Sequence, residues 1–127
     1  MPKRVLDVGQ CSFDHGTLRR LIADDLGAEV VQAHHLNDAV KELKNGRFDL
    51  VLVNRKLDAD YSDGLAVVRA IKGDASLAAT PVMLVSNYPD AQEAAVAAGA
   101  EPGFGKAELT QPATREKLRR FLDVGNP

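Results

Sequence analysis

Short apolar runs of β character alternate with helix-period segments five times along the chain, and this alternation constrains the fold more than any other feature. The runs are Val5–Val8, Ala28–Ala33, Phe48–Val53, Val82–Val85 and Glu101–Phe104. Between the first two, Leu18, Leu21, Ile22 and Leu26 recur at i, i+3, i+4 and i+8, one face of a helix. Asp14 is placed to cap that helix and Gly27 to stop it. Leu36, Ala39, Val40 and Leu43 repeat the pattern, which starts near Asn37 or Asp38 and closes at Asn45-Gly46. Leu65, Val68 and Ile71 make a third face, and Ala91–Ala98 is an alanine-rich helix closed by Gly99. Leu118, Phe121 and Leu122 give the last, entered near Thr110–Pro112, where a first-turn proline is tolerated.

Such alternation implies parallel strands joined by right-handed helical crossovers. Phe48–Val53 is nearly continuous in apolar residues, as a central strand covered on both faces must be. Pro102 has no N–H for a ladder bond, which puts the fifth strand at an edge. The expectation is an α/β fold: a doubly wound (βα)5 three-layer sandwich, its parallel five-stranded sheet ordered 2-1-3-4-5. The 127 residues are read as a single domain, 1–127.

Charge and composition narrow the partners. Lys plus Arg number 16 against 18 Asp plus Glu, a net charge of -2, which argues against nucleic acid. No apolar run approaches the roughly 20 residues of a membrane span. The single cysteine, Cys11, makes neither an internal disulfide nor a structural zinc site alone. A cytoplasmic chain without a metal or other cofactor is expected.

In a doubly wound sheet ligands gather at the carboxyl ends of the strands. The residues there are Gly9-Gln10-Cys11-Ser12, Asn54-Arg55-Lys56, Ser86-Asn87 and Gly105-Lys106. Four stretches resemble the receiver domains of bacterial response regulators. Arg4–Gln10 is similar to the family's first strand, and Phe48–Asn54 with Asp63-Gly64-Leu65 to its phosphoacceptor strand and following loop. Thr80–Ser86 is similar to the strand ending in the switch hydroxyl, and Ala97–Ala100 with Lys106 to the stretch ending in the family's lysine. The resemblance covers roughly residues 3–122 and implies the flavodoxin-like receiver fold and a role in two-component signalling.

Carried over residue by residue, the resemblance implies a dismantled phosphorylation pocket. The family holds Mg²⁺ with two carboxylates after the first strand and one after the third, and the last of these accepts the phosphoryl group. Gly9, Gln10 and Asn54 stand at those positions. Magnesium wants oxygen ligands that include carboxylates, and an amide is not the nucleophile that aspartyl phosphorylation requires. Ser86 and Lys106 match the switch hydroxyl and the phosphoryl-binding cation, whereas Gly103 stands where the family has an aromatic switch residue.

Lys106 is expected within reach of Asn54 or of a loop acid, Asp58, Asp60 or Asp63. These three acids otherwise read as a solvated loop. Asp7 interrupts the first strand and needs a partner, since a buried unpaired carboxylate costs several kcal/mol. A contact toward the pocket cation is one way to satisfy it. Ser86 reads equally as a hydroxyl capping local backbone.

The leading functional expectation is a stand-alone, non-enzymatic pseudo-receiver that binds another protein, such as a histidine kinase or an output protein, without aspartyl phosphorylation. One alternative is a true phosphorelay receiver with its acceptor displaced to Asp58 or Asp60. Another, from the enzyme class, makes Cys11 the nucleophile of a phosphatase or reductase. Against it, the position where a phosphatase loop carries arginine is Thr17. The partner surface, or a homodimer contact, is expected on the face of the fourth helix, fifth strand and fifth helix. There Ala94 and Ala98 offer close approach, and Arg115, Arg119 and Arg120 a basic stripe.

Overall fold

This computed structural model describes residues 3–122, so both ends of the expected 1–127 domain lie outside the described residues. The strands are β1 (Arg4–Val8), β2 (Glu29–Ala33), β3 (Leu50–Asn54), β4 (Val82–Val85) and β5 (Glu101–Phe104). They form one sheet in the order β2-β1-β3-β4-β5, and every pairing is parallel. The helices are α1 (Ser12–Arg19), α2 (Leu36–Asn45), α3 (Gly64–Gly73), α4 (Pro89–Ala97) and α5 (Pro112–Leu122). α1 runs on into a wider π-helical stretch, Arg20–Asp25, and a 3-10 turn, Lys106–Glu108, precedes α5.

The side-chain period of the strands sorts the core into two layers. Leu6, Val8, Val51, Val53, Val82 and Leu84 pack on one face with Ala39, Leu43, Val67, Val68, Ile71 and Ala95 of α2, α3 and α4. Val5, Leu50, Leu52, Met83 and Val85 pack on the other with Leu18 of α1, Ile22 of the π-helical stretch, and Leu118 and Leu122 of α5. β3 is buried throughout at the centre of the sheet, and β5 lies at an edge with Pro102 exposed.

Several boundaries differ from expectation for local reasons. Asp14 does not cap α1. Cys11 does, its Sγ accepting the Asp14 N–H at 3.5 Å, because the helix begins directly off the β1 turn. α2 begins at Leu36, ahead of Asn37 and Asp38; Asp38 reaches back to accept the N–H groups of His34 and His35, both at 2.9 Å. β3 begins two residues after Phe48; just ahead of it Asp49 still bonds to β1, its N–H donating to the Arg4 carbonyl at 2.8 Å and its carboxylate accepting the Arg4 N–H at 2.9 Å.

Two glycines permit close packing at the carboxyl end of the sheet. Gly9 has φ +77°, and a Cβ there would run into the Leu57 side chain. A Cβ on Gly103 would collide with the Leu84 carbonyl, in the stretch where the β4–β5 register shifts.

Candidate functional site

The ends of β1 and β3 are tied together by neutral groups. The Gly9 carbonyl accepts from Asn54 Nδ2 at 3.0 Å and from the Asp58 N–H at 2.9 Å. Leu57, fully buried, fills the space over Gly9. Gln10 is also buried, and its amide meets no hydrogen-bond partner among the described residues. At the end of β4, Ser86 donates its N–H to the Phe104 carbonyl at 2.9 Å, and its Oγ accepts the Tyr88 N–H at 3.1 Å. The hydroxyl therefore caps local backbone, and its own proton stays available.

Asn54, Arg55, Lys56, Ser86, Tyr88 and Lys106 line a pocket of about 230 Å³ at this end of the sheet. Of the five residues expected there, three are brought together as lining. Gly9 and Gln10 lie outside that lining, Gly9 held under Leu57.

Lys106 is not paired as expected. Its ammonium meets Asp14 at 3.2 Å, not Asn54 and not the loop acids. Two of the loop acids are occupied elsewhere. Asp60 accepts the Ser62 N–H and hydroxyl at 3.0 and 2.6 Å, and Asp63 caps α3 by accepting the Leu65 N–H at 2.9 Å. All three, Asp58 included, are exposed. The Ser62 bonds hold the Asp60 carboxyl below its ordinary range.

Asp7 finds a partner, but one on α1 rather than the pocket cation. Its carboxylate is fully buried and meets His15 Nδ1 at 2.6 Å. Burial pushes the Asp7 carboxyl up from the ordinary 3.8, and the His15 hydrogen bond opposes this. Asp7 Oδ1 has no partner among the described residues. Adjacent residues of one helix thus serve two sites: Asp14 reaches the rim and His15 the interior.

The face of α4, β5 and α5 also departs from expectation. Ala94 is exposed, but Ala98 packs against the core, because α4 turns Ala91, Ala95 and Ala98 toward the sheet. The basic stripe is largely engaged at home. Arg115 pairs with Asp25 at 2.9 Å, Arg119 with Glu116 at 3.1 Å, and Lys117 donates to the Gly103 carbonyl at 2.7 Å. Arg120 is exposed. Sequence reasoning missed Gln92, whose amide donates to the Leu84 and Ser86 carbonyls at 2.8 and 3.1 Å and accepts the Gly103 N–H at 3.1 Å. One side chain thereby fastens α4 to β4 and β5, in the stretch where Gly103 leaves room. The signal was a polar residue spaced to face the sheet in an otherwise alanine-rich helix.

A model of the response regulator receiver domain family matches residues 14–122. The chain belongs to that family, the receiver modules of two-component signalling, which interact with histidine kinases and output proteins. Solved structures share its fold at low identity. The receiver domain of a DNA-binding response regulator from Colwellia psychrerythraea is 21% identical over 93% of this chain and 96% of its own, with TM-score 0.79. The phosphorylated cyanobacterial phytochrome response regulator RcpA is 20% identical over 99% and 98%, TM-score 0.79. The Vibrio cholerae chemotaxis protein CheY4 is 21% identical over 96% and 100%, TM-score 0.74. Among the described residues no helix is long and apolar enough to cross a membrane.

Proposed function

We propose that this receiver works as a pseudo-receiver: a module that binds a protein partner without aspartyl phosphorylation or Mg²⁺ in its pocket. The observation that carries the reading is at the β1 and β3 ends. Gly9, Gln10 and Asn54 stand where the family has carboxylates, and Leu57 occupies the space an acid at position 9 would need. Asn54 spends its amide N–H on the Gly9 carbonyl, which makes it a structural tie between strands. Asp58 and Asp60, the alternatives for a displaced acceptor, lie on an exposed loop outside the pocket lining.

Output then depends on a standing surface. A groove of about 470 Å³ between α4 and β5, lined by Gln92, Glu93, Val96, Ala97, Pro102 and Gly103, supports a docking face that is mainly apolar with one acid at its edge. Arg115 and Arg119, paired within the chain, contribute less there than a free basic stripe would.

Incubation with a small phosphodonor and Mg²⁺, followed by intact mass, tests the reading. Unchanged mass is expected. Added mass mapped to Asp58 or Asp60 would replace it with the displaced-acceptor receiver.

A further inference from the structure

The chain is poor in aromatic residues, and half of those it has are left uncovered at one end of the sheet. Both tyrosines and one of the four phenylalanines are exposed there: Phe13 by 77%, Tyr61 by 75% and Tyr88 by 59%. Phe13 lies in the first turn of α1, after β1; Tyr61 is in the loop after β3 and Tyr88 in the loop after β4. These three strands are neighbours in the sheet. Among the described residues the only other large exposed apolar side chain is Val96 on α4. From this aromatic crown we infer that the carboxyl end of the sheet is a homodimer face, on which a second copy of the chain packs about a two-fold axis.

The crown is a fixed platform. The Asp58 N–H donates to the Gly9 carbonyl at 2.9 Å, tying the β3–α3 loop to the turn after β1. The Arg55 guanidinium lies 4.6 Å from the centre of the Tyr88 ring and ties the same loop to the one after β4. Between Lys56 and Asp63 the loop closes as a small antiparallel hairpin. The Leu57 N–H donates to the Ser62 carbonyl at 2.9 Å, and the Tyr61 N–H to the Leu57 carbonyl at 2.7 Å. Tyr61 stands near its tip with φ +59°, a left-handed conformation that strains a bulky residue and that glycine adopts freely. The folded monomer gains nothing from an aromatic ring held there in water, so the strain points to a contact outside the chain. Aromatic residues and arginine on a preorganised loop are what anchors protein interfaces.

Charge selects the occupant. The hairpin carries exposed Lys56 together with exposed Asp58, Asp60 and Asp63, and Arg55 lies beside it. Among the described residues none of these five is in an ion pair. A partner of one sign would be repelled by part of this surface. A second copy brings both signs in complementary order: about a two-fold axis, Lys56 of each copy faces the acids of the other, as an isologous interface requires. The face shares no residue with the lining of the α4–β5 groove, which stays open to a different protein.

Sedimentation of the chain from about 1 μM to about 1 mM tests the face, with amide NMR over the same range to locate it. A concentration-dependent dimer is expected, with shifts at Phe13, Lys56, Tyr61 and Tyr88 as it forms. Tyr61→Gly should weaken the dimer about tenfold or more, since it removes an anchoring ring. The same change relieves the left-handed strain, so the urea midpoint of the monomer should stay level or rise. Lys56→Glu and Asp58→Lys should each weaken the dimer by setting like charges opposite one another. Mixed in equal amounts, the two variants should associate again, because each then meets the reversed charge of the other.

A monomer throughout that range would overturn the inference and leave the crown to a protein of other sequence. A dimer that survives Tyr61→Gly and is lost in Val96→Arg would overturn it too, assigning self-association to the α4–β5 face. Charge variants that stay monomeric when mixed would overturn the two-fold arrangement. A Tyr61→Gly monomer less stable than wild type would make the ring a structural part of the loop, and the strain would no longer point outward.

Discussion

Two contacts between an acidic and a basic side chain spring from neighbouring residues of α1, and they differ in burial and in setting. Asp7 and His15 meet at 2.6 Å in the layer between the sheet and α1, the carboxylate fully buried. Asp14 and Lys106 meet at 3.2 Å on the pocket rim, with 16% and 36% of their side chains exposed. The inner pair exists because a carboxylate inserted into an apolar strand must be matched where it lies. The outer pair holds a cation that water would otherwise solvate. The first is a structural commitment; the second is one that water can replace.

Breaking the inner pair should therefore have the largest effect. His15→Ala leaves the Asp7 carboxylate buried without its partner and should cost about 3 kcal/mol, read from the urea midpoint. Replacing both, Asp7→Val with His15→Leu, should recover most of that stability or exceed wild type, since a well-packed apolar pair often matches a buried polar one. A double variant as unstable as His15→Ala would mean that the pair is not what matches the carboxylate.

The pH dependence of the inner pair has a defined sign. The folded Asp7 pKa is raised above 3.8 by burial, so the folded state binds the proton more tightly than the unfolded chain. Its contribution is fully present below pH 3.8 and is lost as pH rises through the folded value. Wild type should thus gain stability relative to Asp7→Asn as pH falls from neutral toward 3.8. Denaturant midpoints of the two proteins across that range check it; a widening deficit of wild type on acidification would contradict it.

The outer pair should barely register in stability. Asp14→Asn or Lys106→Met should shift unfolding by no more than about 1 kcal/mol, the usual worth of a partly exposed pair. A thermal melt showing several times that loss would place Lys106 in the structural class of Asp7.

Much of the architecture was legible in the sequence because two periods dominate it. The apolar continuity of Phe48–Val53 marked the central strand, and Pro102 marked the edge. The strand-end rule brought Asn54, Ser86 and Lys106 to one pocket. The pairings were harder to read, since they depend on how each helix is rotated against the sheet. Lys106 lay nearer in expectation to Asn54 and the β3–α3 loop than to α1, and only the packed position of α1 sets Asp14 beside it. His15 did carry a signal. It precedes Leu18 and Ile22 by three and seven residues, on the face those residues bury, opposite the strand that carries Asp7. The blockage of position 9 by Leu57 had none, because Leu57 reads only as one apolar residue in a polar loop.

That blockage gives the most direct measurement. Mg²⁺ is titrated into the chain to millimolar concentration while the amide resonances of Gly9, Gln10 and Asn54 are followed. With three neutral residues at the β1 and β3 ends and Leu57 packed over Gly9, no saturable shift is expected at these positions. Saturable shifts confined to Gly9, Gln10 and Asn54 would show that the pocket still holds the metal, and would contradict a pocket that works without it.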